Sequence, residues 1–223
     1  PLWEKAAELD ASLHTAWRLL GMNAWKRGND PAKAETYYRK AIAAQPEDQS
    51  LYGDLAAILT SLERRPEAIV LVETLPSNLT PRADTTAWLA QAYLEEKRLD
   101  DCISLLRRVR FSNREGGTLP HDVFVQALTA RGKQRYEAKQ YDAALEDFKE
   151  SLTYPENLAV GAKYKLTDAE TRYWIGKTLL ALNRPEEARA AFAEGASQLT
   201  SKDPRHDFIV ITPAQDEHVQ RCA

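Results

Sequence analysis

Four histidines, two cysteines and a spread of acids are the residues of this chain whose types could do chemistry, and their spacing decides how much. His14, His121, His206 and His218 are scattered, and no metal site is expected from them. Cys102 and Cys222 lie far apart, which gives no paired thiol ligands. No serine or cysteine sits in a nucleophile-elbow context, and no Gly-x-x-x-x-Gly-Lys phosphate loop occurs. Adjacent acids are frequent, as Glu47-Asp48, Glu95-Glu96, Asp100-Asp101 and Glu186-Glu187. All fall at expected helix ends or turns, where solvation and the helix dipole account for them. Glu115 and Asp122, beside His121 in an irregular stretch, are the acids whose context leaves room for acid–base work. The expectation is therefore a non-enzymatic chain without metal or cofactor.

The elements around these residues repeat. Trp17-x-x-Leu20-Gly21 is followed by Trp25, Ala34-x-x-x-Tyr38, Ala41 and Pro46. Large and small apolar residues at these spacings resemble the tetratricopeptide repeat, with a one-residue slip between Gly21 and Ala34. The resemblance implies an all-α fold, with helix-turn-helix repeats in a right-handed superhelical solenoid. Gly21 and Ala34 are small so that two antiparallel helices can approach, while Trp17, Leu20 and Tyr38 fill the space beside them. One such hairpin cannot bury its apolar face alone, so stacked neighbours are implied.

The rest of the chain supplies them. Trp3, Ala6 and Leu9 have the spacing of a second helix without its first, giving a partial repeat over 1–13. Repeats are expected over about 14–48, 49–82, 83–114, 125–157 and 168–200, with a partial repeat over 215–223. Broken repeats at both ends read as a segment of a longer protein. Gly28-Asn29-Asp30-Pro31 makes the first turn, with Gly28 suited to a left-handed cap and Pro31 to a first helical turn. Ala34, Cys102, Ala144 and Ala188 occupy one small-residue position, so Cys102 reads as packing. Two stretches break the period, Phe111 to Val123 and Glu156 to Thr167. Such a loop either covers a groove or only lengthens a connection. Phe208 to Ile211 could be extended.

Composition limits the partners. A net charge of −3 with 28% charged and 43% apolar residues describes a well-solvated folded chain. Nucleic acid is not an expected partner, because phosphate neutralisation needs a basic excess that Arg107-Arg108-x-Arg110 is too short to supply. No apolar run approaches the roughly 18 residues needed to span a bilayer, so no membrane partner and a cytoplasmic location are expected.

In a stack of this kind the first helices line a concave surface. Spacing from the packing residues places Arg18, Met22, Trp25 and Lys26 on it, with Gln91, then Lys133 and Tyr136, then Tyr173 and Lys177. This basic and aromatic set suits an acidic or extended peptide. Alternatively, Trp25 and Tyr136 only pack between repeats. Tetratricopeptide proteins that grip the C-terminal carboxylate of chaperones use a Lys-Asn/Asn/Lys-Arg clamp. The corresponding places here hold Arg18 and Met22, Asp54, and Asp84 and Trp88, so that clamp is absent.

A second resemblance rests on the irregular stretches. Phe111-x-x-x-Glu115-Gly116-Gly117, His121, Tyr154-Pro155-Glu156-Asn157-Leu158-x-Val160-Gly161 and Tyr173-Trp174-x-Gly176 look like the C-terminal helical region of a family of large bacterial proteins. Their N-terminal domain, of unknown function, resembles carbohydrate-active enzymes. The family's usual Trp before Glu-Gly-Gly is Arg114 here. The resemblance spans Phe111 to Phe192 and implies a bacterial source and an alternative role, docking on another domain of the same chain. A protein or peptide partner, or such a domain, is the expected ligand.

Overall fold

A computed structural model describes residues 2–76, 82–112, 118–161, 168–197 and 221–222. Among the described residues there are α-helices, one short 3-10 turn over Glu156–Leu158 and no strand. The helices are α1 (Leu2–Leu9), α2 (His14–Lys26), α3 (Pro31–Ala44), α4 (Gln49–Ser61), α5 (Arg65–Glu73) and α6 (Ala83–Glu95), then α7 (Leu99–Arg108), α8 (Leu119–Glu137), α9 (Tyr141–Glu150), α10 (Ala169–Ala181) and α11 (Pro185–Ala196). Phe208 to Ile211 and most of the expected terminal partial repeat lie outside the described residues; Arg221 and Cys222 are helical. The chain divides into two compact units, residues 1–98 with α1 to α6 and residues 99–223 with α7 to α11.

Five of the turns between successive helices share one device. Asn29, Glu63, Lys97, Lys139 and Asn183 all have positive φ, between 47° and 61°. Each puts one left-handed residue between two helices. The backbone N–H just beyond it then turns back to a carbonyl of the helix that is ending. These bonds are Arg64 to Leu59, Arg98 to Tyr93, Gln140 to Arg135 and Arg184 to Leu179, each 2.8 or 2.9 Å. In the first hairpin Asp30 bonds to Ala24 instead, so this turn spans one residue more. The slip between Gly21 and Ala34 is thereby located. The left-handed residue is Asn29 rather than Gly28, a conformation Asn tolerates through its short polar side chain. Pro31, Pro66, Pro120 and Pro185 stand in the first turns of their helices, where a missing N–H costs nothing. Asp30 and Asp48 cap α3 and α4, accepting from the N–H groups of Lys33 and Ser50.

Packing follows the small and large positions. A Cβ added to Gly21 would fall 2.6 Å from a ring carbon of Tyr38, and one on Gly132 would fall 2.6 Å from a ring carbon of Phe148. Gly176 meets Phe192 in the same way. In all three hairpins the ring of the second helix therefore lies directly on the backbone of the first. Ala34, Ala68, Cys102, Ala144 and Ala188 are fully buried, as expected.

Two expectations shift. In α1 the buried residue is Ala7, which packs with Ala16 and Leu20, while Ala6 is partly covered and Leu9 is 88% exposed. The face read from Trp3, Ala6 and Leu9 is thus rotated by one residue. Helix α8 starts at Leu119, earlier than the expected start near Val125, because Pro120 opens the helix rather than breaking a loop. Asp168 stands at the start of α10 with its carboxylate on Arg172 (3.1 Å) rather than on a backbone N–H.

The second unit also buries a charge. Asp147 of α9 is 2% exposed and accepts from Arg131 at 2.6 and 3.0 Å, with Arg135 at 2.9 Å. Arg131 reaches on to Asp100 of α7 at 2.6 Å, so one guanidinium ties α7, α8 and α9.

Two outcomes follow for denaturant unfolding. Gly132→Ala should lose about 1 to 3 kcal/mol by overpacking against Phe148, although alanine is the better helix former. A second change, Phe148→Leu, should recover part of that loss. Asp147→Ala should cost about 3 to 5 kcal/mol, because it strands a buried guanidinium. An unchanged midpoint for either single variant would contradict the packing described.

Candidate functional site

Helices α8 and α10 bring four of the nine residues expected on the concave surface together. Lys133 and Tyr136 lie on α8, Tyr173 and Lys177 on α10, and Trp174 of α10 stands among them. Trp174 meets the edge of Tyr136 at 5.6 Å and 71°, and the edge of Tyr173 at 5.8 Å and 76°. The Nζ of Lys177 is 5.3, 5.6 and 4.7 Å from the ring centres of Tyr136, Tyr173 and Trp174. The Nζ of Lys133 is 5.4 Å from the Trp174 ring and forms an ion pair with Glu170. Arg221 stands 5.9 Å from Tyr173.

Three rings thus hold the ammonium group of Lys177, which has no carboxylate partner among the described residues. Each cation–π contact at a partly exposed site is worth about 0.5 to 1 kcal/mol. Together they restrict a side chain that would otherwise carry about 2 kcal/mol of rotamer entropy. The result is a preoriented cation with free N–H donors. It can take an anionic oxygen at a reduced ordering cost.

The expected residues of the first unit are not gathered into one such cluster. Arg18 bonds to Asp54 at 3.1 and 3.3 Å, so its charge is matched from the next hairpin. Beside this pair, burial first and the nearby Asp54 second push the Tyr38 hydroxyl up to about 12, so it stays protonated. Lys26 lies 3.9 Å over the Trp25 ring, and Gln91 donates to Glu95 of its own helix at 2.8 Å. Asp84, in one of the places where the chaperone clamp differs, is held down to about 2, chiefly by its hydrogen bond from Arg82.

The two irregular stretches meet one another. Asn157 donates through Nδ2 to the carbonyls of Leu106 and Val109 at 2.7 and 2.9 Å, capping the end of α7, and its carbonyl accepts from the N–H of Phe111 at 2.7 Å. His121 lies 2.9 Å from the Thr153 carbonyl through Nε2 and stacks on Tyr154 at 4.5 Å and 7°. What lies nearest the ends of the stretches thus closes α7 and seats α8. His121 is 3% exposed, and Asp122 accepts from Thr118 at 2.5 Å; neither stands open beside the other for acid–base work. Glu115 lies outside the described residues. Among the described residues, no group of three His, Cys, Asp or Glu side chains comes together as metal ligands.

Glu170 and Trp174 were not singled out from spacing as binding residues. Their signal was present, since Glu170, Tyr173, Trp174 and Lys177 fall at i, i+3, i+4 and i+7 on one helix face. The carbonyl partners of Asn157 had no such signal, because they lie about 50 residues earlier in the chain.

Residues 169–197, the α10–α11 hairpin, match the family model of the tetratricopeptide repeat. Among solved structures, the chain is similar to MamA, at 16% identity over 89% of this chain and 97% of that one, with a TM-score of 0.52. It is similar also to YrrB, described as a tetratricopeptide protein with an unusual peptide-binding site, at 16% identity over 88% and 92%, with a TM-score of 0.53. Likeness at this identity establishes the fold: all-α, of the tetratricopeptide helix-turn-helix type. Neither match extends the resemblance of Phe111 to Phe192 to large bacterial proteins.

Burial pushes the Cys102 thiol up to about 12, which leaves almost no thiolate near neutral pH. In the folded protein at pH 8, Cys102 should resist a disulfide-exchange reagent for hours and react within minutes once denatured. Peptide mapping of the labelled site would show it, and rapid native labelling would contradict the packing role.

Proposed function

We propose that the chain is a non-enzymatic interaction module, and that the α8–α10 face holds an extended acidic segment of a protein or peptide partner. The observation that carries this reading is Lys177, fixed by three rings and left without a described carboxylate. The chemistry is a charge-assisted hydrogen bond to a ligand carboxylate, beside aromatic surface on which apolar parts of the ligand can lie. YrrB, which shares the fold, is described as binding peptide, and that agrees in kind with this reading.

The first unit is less suited to an anionic ligand. Its Arg18 is matched by Asp54, and Asp84 adds a stable negative charge. The small net charge of −3 and the mixture of acids around the lysines favour a peptide carboxylate over a phosphate backbone. No described helix is long and apolar enough to cross a membrane. An acidic segment on another domain of the same chain would bind by the same contacts.

Fluorescence anisotropy with labelled acidic peptides tests the reading, with glutamine-substituted peptides as controls. Lys177→Glu should weaken binding of the acidic peptides tenfold or more and leave the melting temperature within a degree or two. Arg18→Glu with Lys26→Glu should leave binding nearly unchanged. Loss confined to the Arg18 and Lys26 variants would move the site to the first unit and refute the assignment.

A further inference from the structure

We infer that Glu170 is a built-in competitor on this face, occupying the place of a second ligand carboxylate and so setting how many acidic groups the site accepts. The inference rests on the reading that the face binds an acidic segment. Two ammonium groups, those of Lys133 and Lys177, lie against the one ring of Trp174, at 5.4 and 4.7 Å from its centre. Lys133 is paired with Glu170; Lys177 has no carboxylate among the described residues. The site is therefore half filled by the protein's own acid.

The pair is exchangeable. Its side chains are 34% and 40% exposed, and ion pairs at such positions contribute little. Glu170 also belongs to the first turn of α10, where the helix dipole favours a negative charge. Once displaced from Lys133, its carboxylate keeps that interaction, which lowers the penalty for leaving. An extended peptide presents alternate side chains on one side, about 7 Å apart. A segment of the type acidic-x-acidic can therefore address both lysines, but only by displacing Glu170. A segment with one acid needs Lys177 alone. Glu170 then favours ligands with a single carboxylate by weakening those with two.

The test uses two capped peptides, Gly-Gly-Glu-Gly-Gly and Gly-Glu-Gly-Glu-Gly, titrated by NMR into the parent protein, Glu170→Gln and Glu186→Gln. Glu186 lies on α11 and pairs with Arg189, so its variant makes the same change of net charge away from the face. Glu170→Gln should tighten the two-acid peptide about two- to fivefold, the gain expected from freeing one exposed ion pair. It should change the one-acid peptide by less than that, and Glu186→Gln should change neither. Equal tightening of both peptides, or the same effect from Glu186→Gln, would reduce the result to net charge and overturn the inference. Binding left unchanged by Glu170→Gln would overturn it while leaving the binding face intact. If neither peptide binds any of the three proteins, the face and the inference fall together.

Discussion

The close approach of a ring to a glycine is the contact on which each of three hairpins depends. Gly21, Gly132 and Gly176 have no side chain where Tyr38, Phe148 and Phe192 lie on the helix backbone. A methyl group there would overlap the ring, so the close spacing of the two helices requires glycine at this position. Everything presented by the first helix inherits that spacing. The left-handed turn residue and its return bond hold the register of the pair, and Ala34, Ala144 and Ala188 let the second helix come in without obstruction. Local chain geometry and side-chain size act here on the same distance.

Trp174 links this core to the surface. Its ring stacks with Phe148 at 6.1 Å and 21°, and Phe148 is the ring that covers Gly132. The same Trp174 ring also meets Tyr136, Tyr173 and the cations of Lys133 and Lys177. Fixing the α8–α9 hairpin therefore fixes Trp174, and with it the place of both ammonium groups. Its Nε1 is buried without a hydrogen-bond partner among the described residues, a cost accepted for ring placement rather than for polar contact. Preorganisation of the face is in this sense a product of repeat packing.

Most of the fold was legible because it is local. The small and large positions recur at a fixed period, and even the slip in the first repeat corresponds to one additional turn residue before Asp30. The start of α8 was not legible, since Pro120 reads equally as a loop residue and as the opening of a helix. On the face, Lys133, Tyr136, Tyr173 and Lys177 were recoverable from spacing, and the structure brings them together. Arg18, Trp25, Lys26 and Gln91 had the same spacing and are not gathered. What separates the two groups is the cluster of Tyr136, Tyr173 and Trp174, whose rings gather both lysines, and that cluster depends on the stacking of α10 on α8. Asn157 was invisible for a related reason, because it acts on a helix distant in sequence.

The two lysines of the second unit and Arg18 of the first differ in position as well as in charge balance: each lysine follows a packing glycine, Gly132 or Gly176, whereas Arg18 stands three residues before Gly21. Arg18 faces Asp54 from the following first helix, and the pair stands beside the buried, protonated Tyr38. Its guanidinium therefore contributes to joining two hairpins, and an incoming carboxylate would have to oppose Asp54. Lys133 meets its acid from the following first helix as well, but Lys177 has rings and no carboxylate around it among the described residues. Rings favour a cation without neutralising it. One architecture, repeated, thus presents a matched ion pair in the first unit and, in the second, a matched pair beside an open cation. The open one retains charge for a ligand.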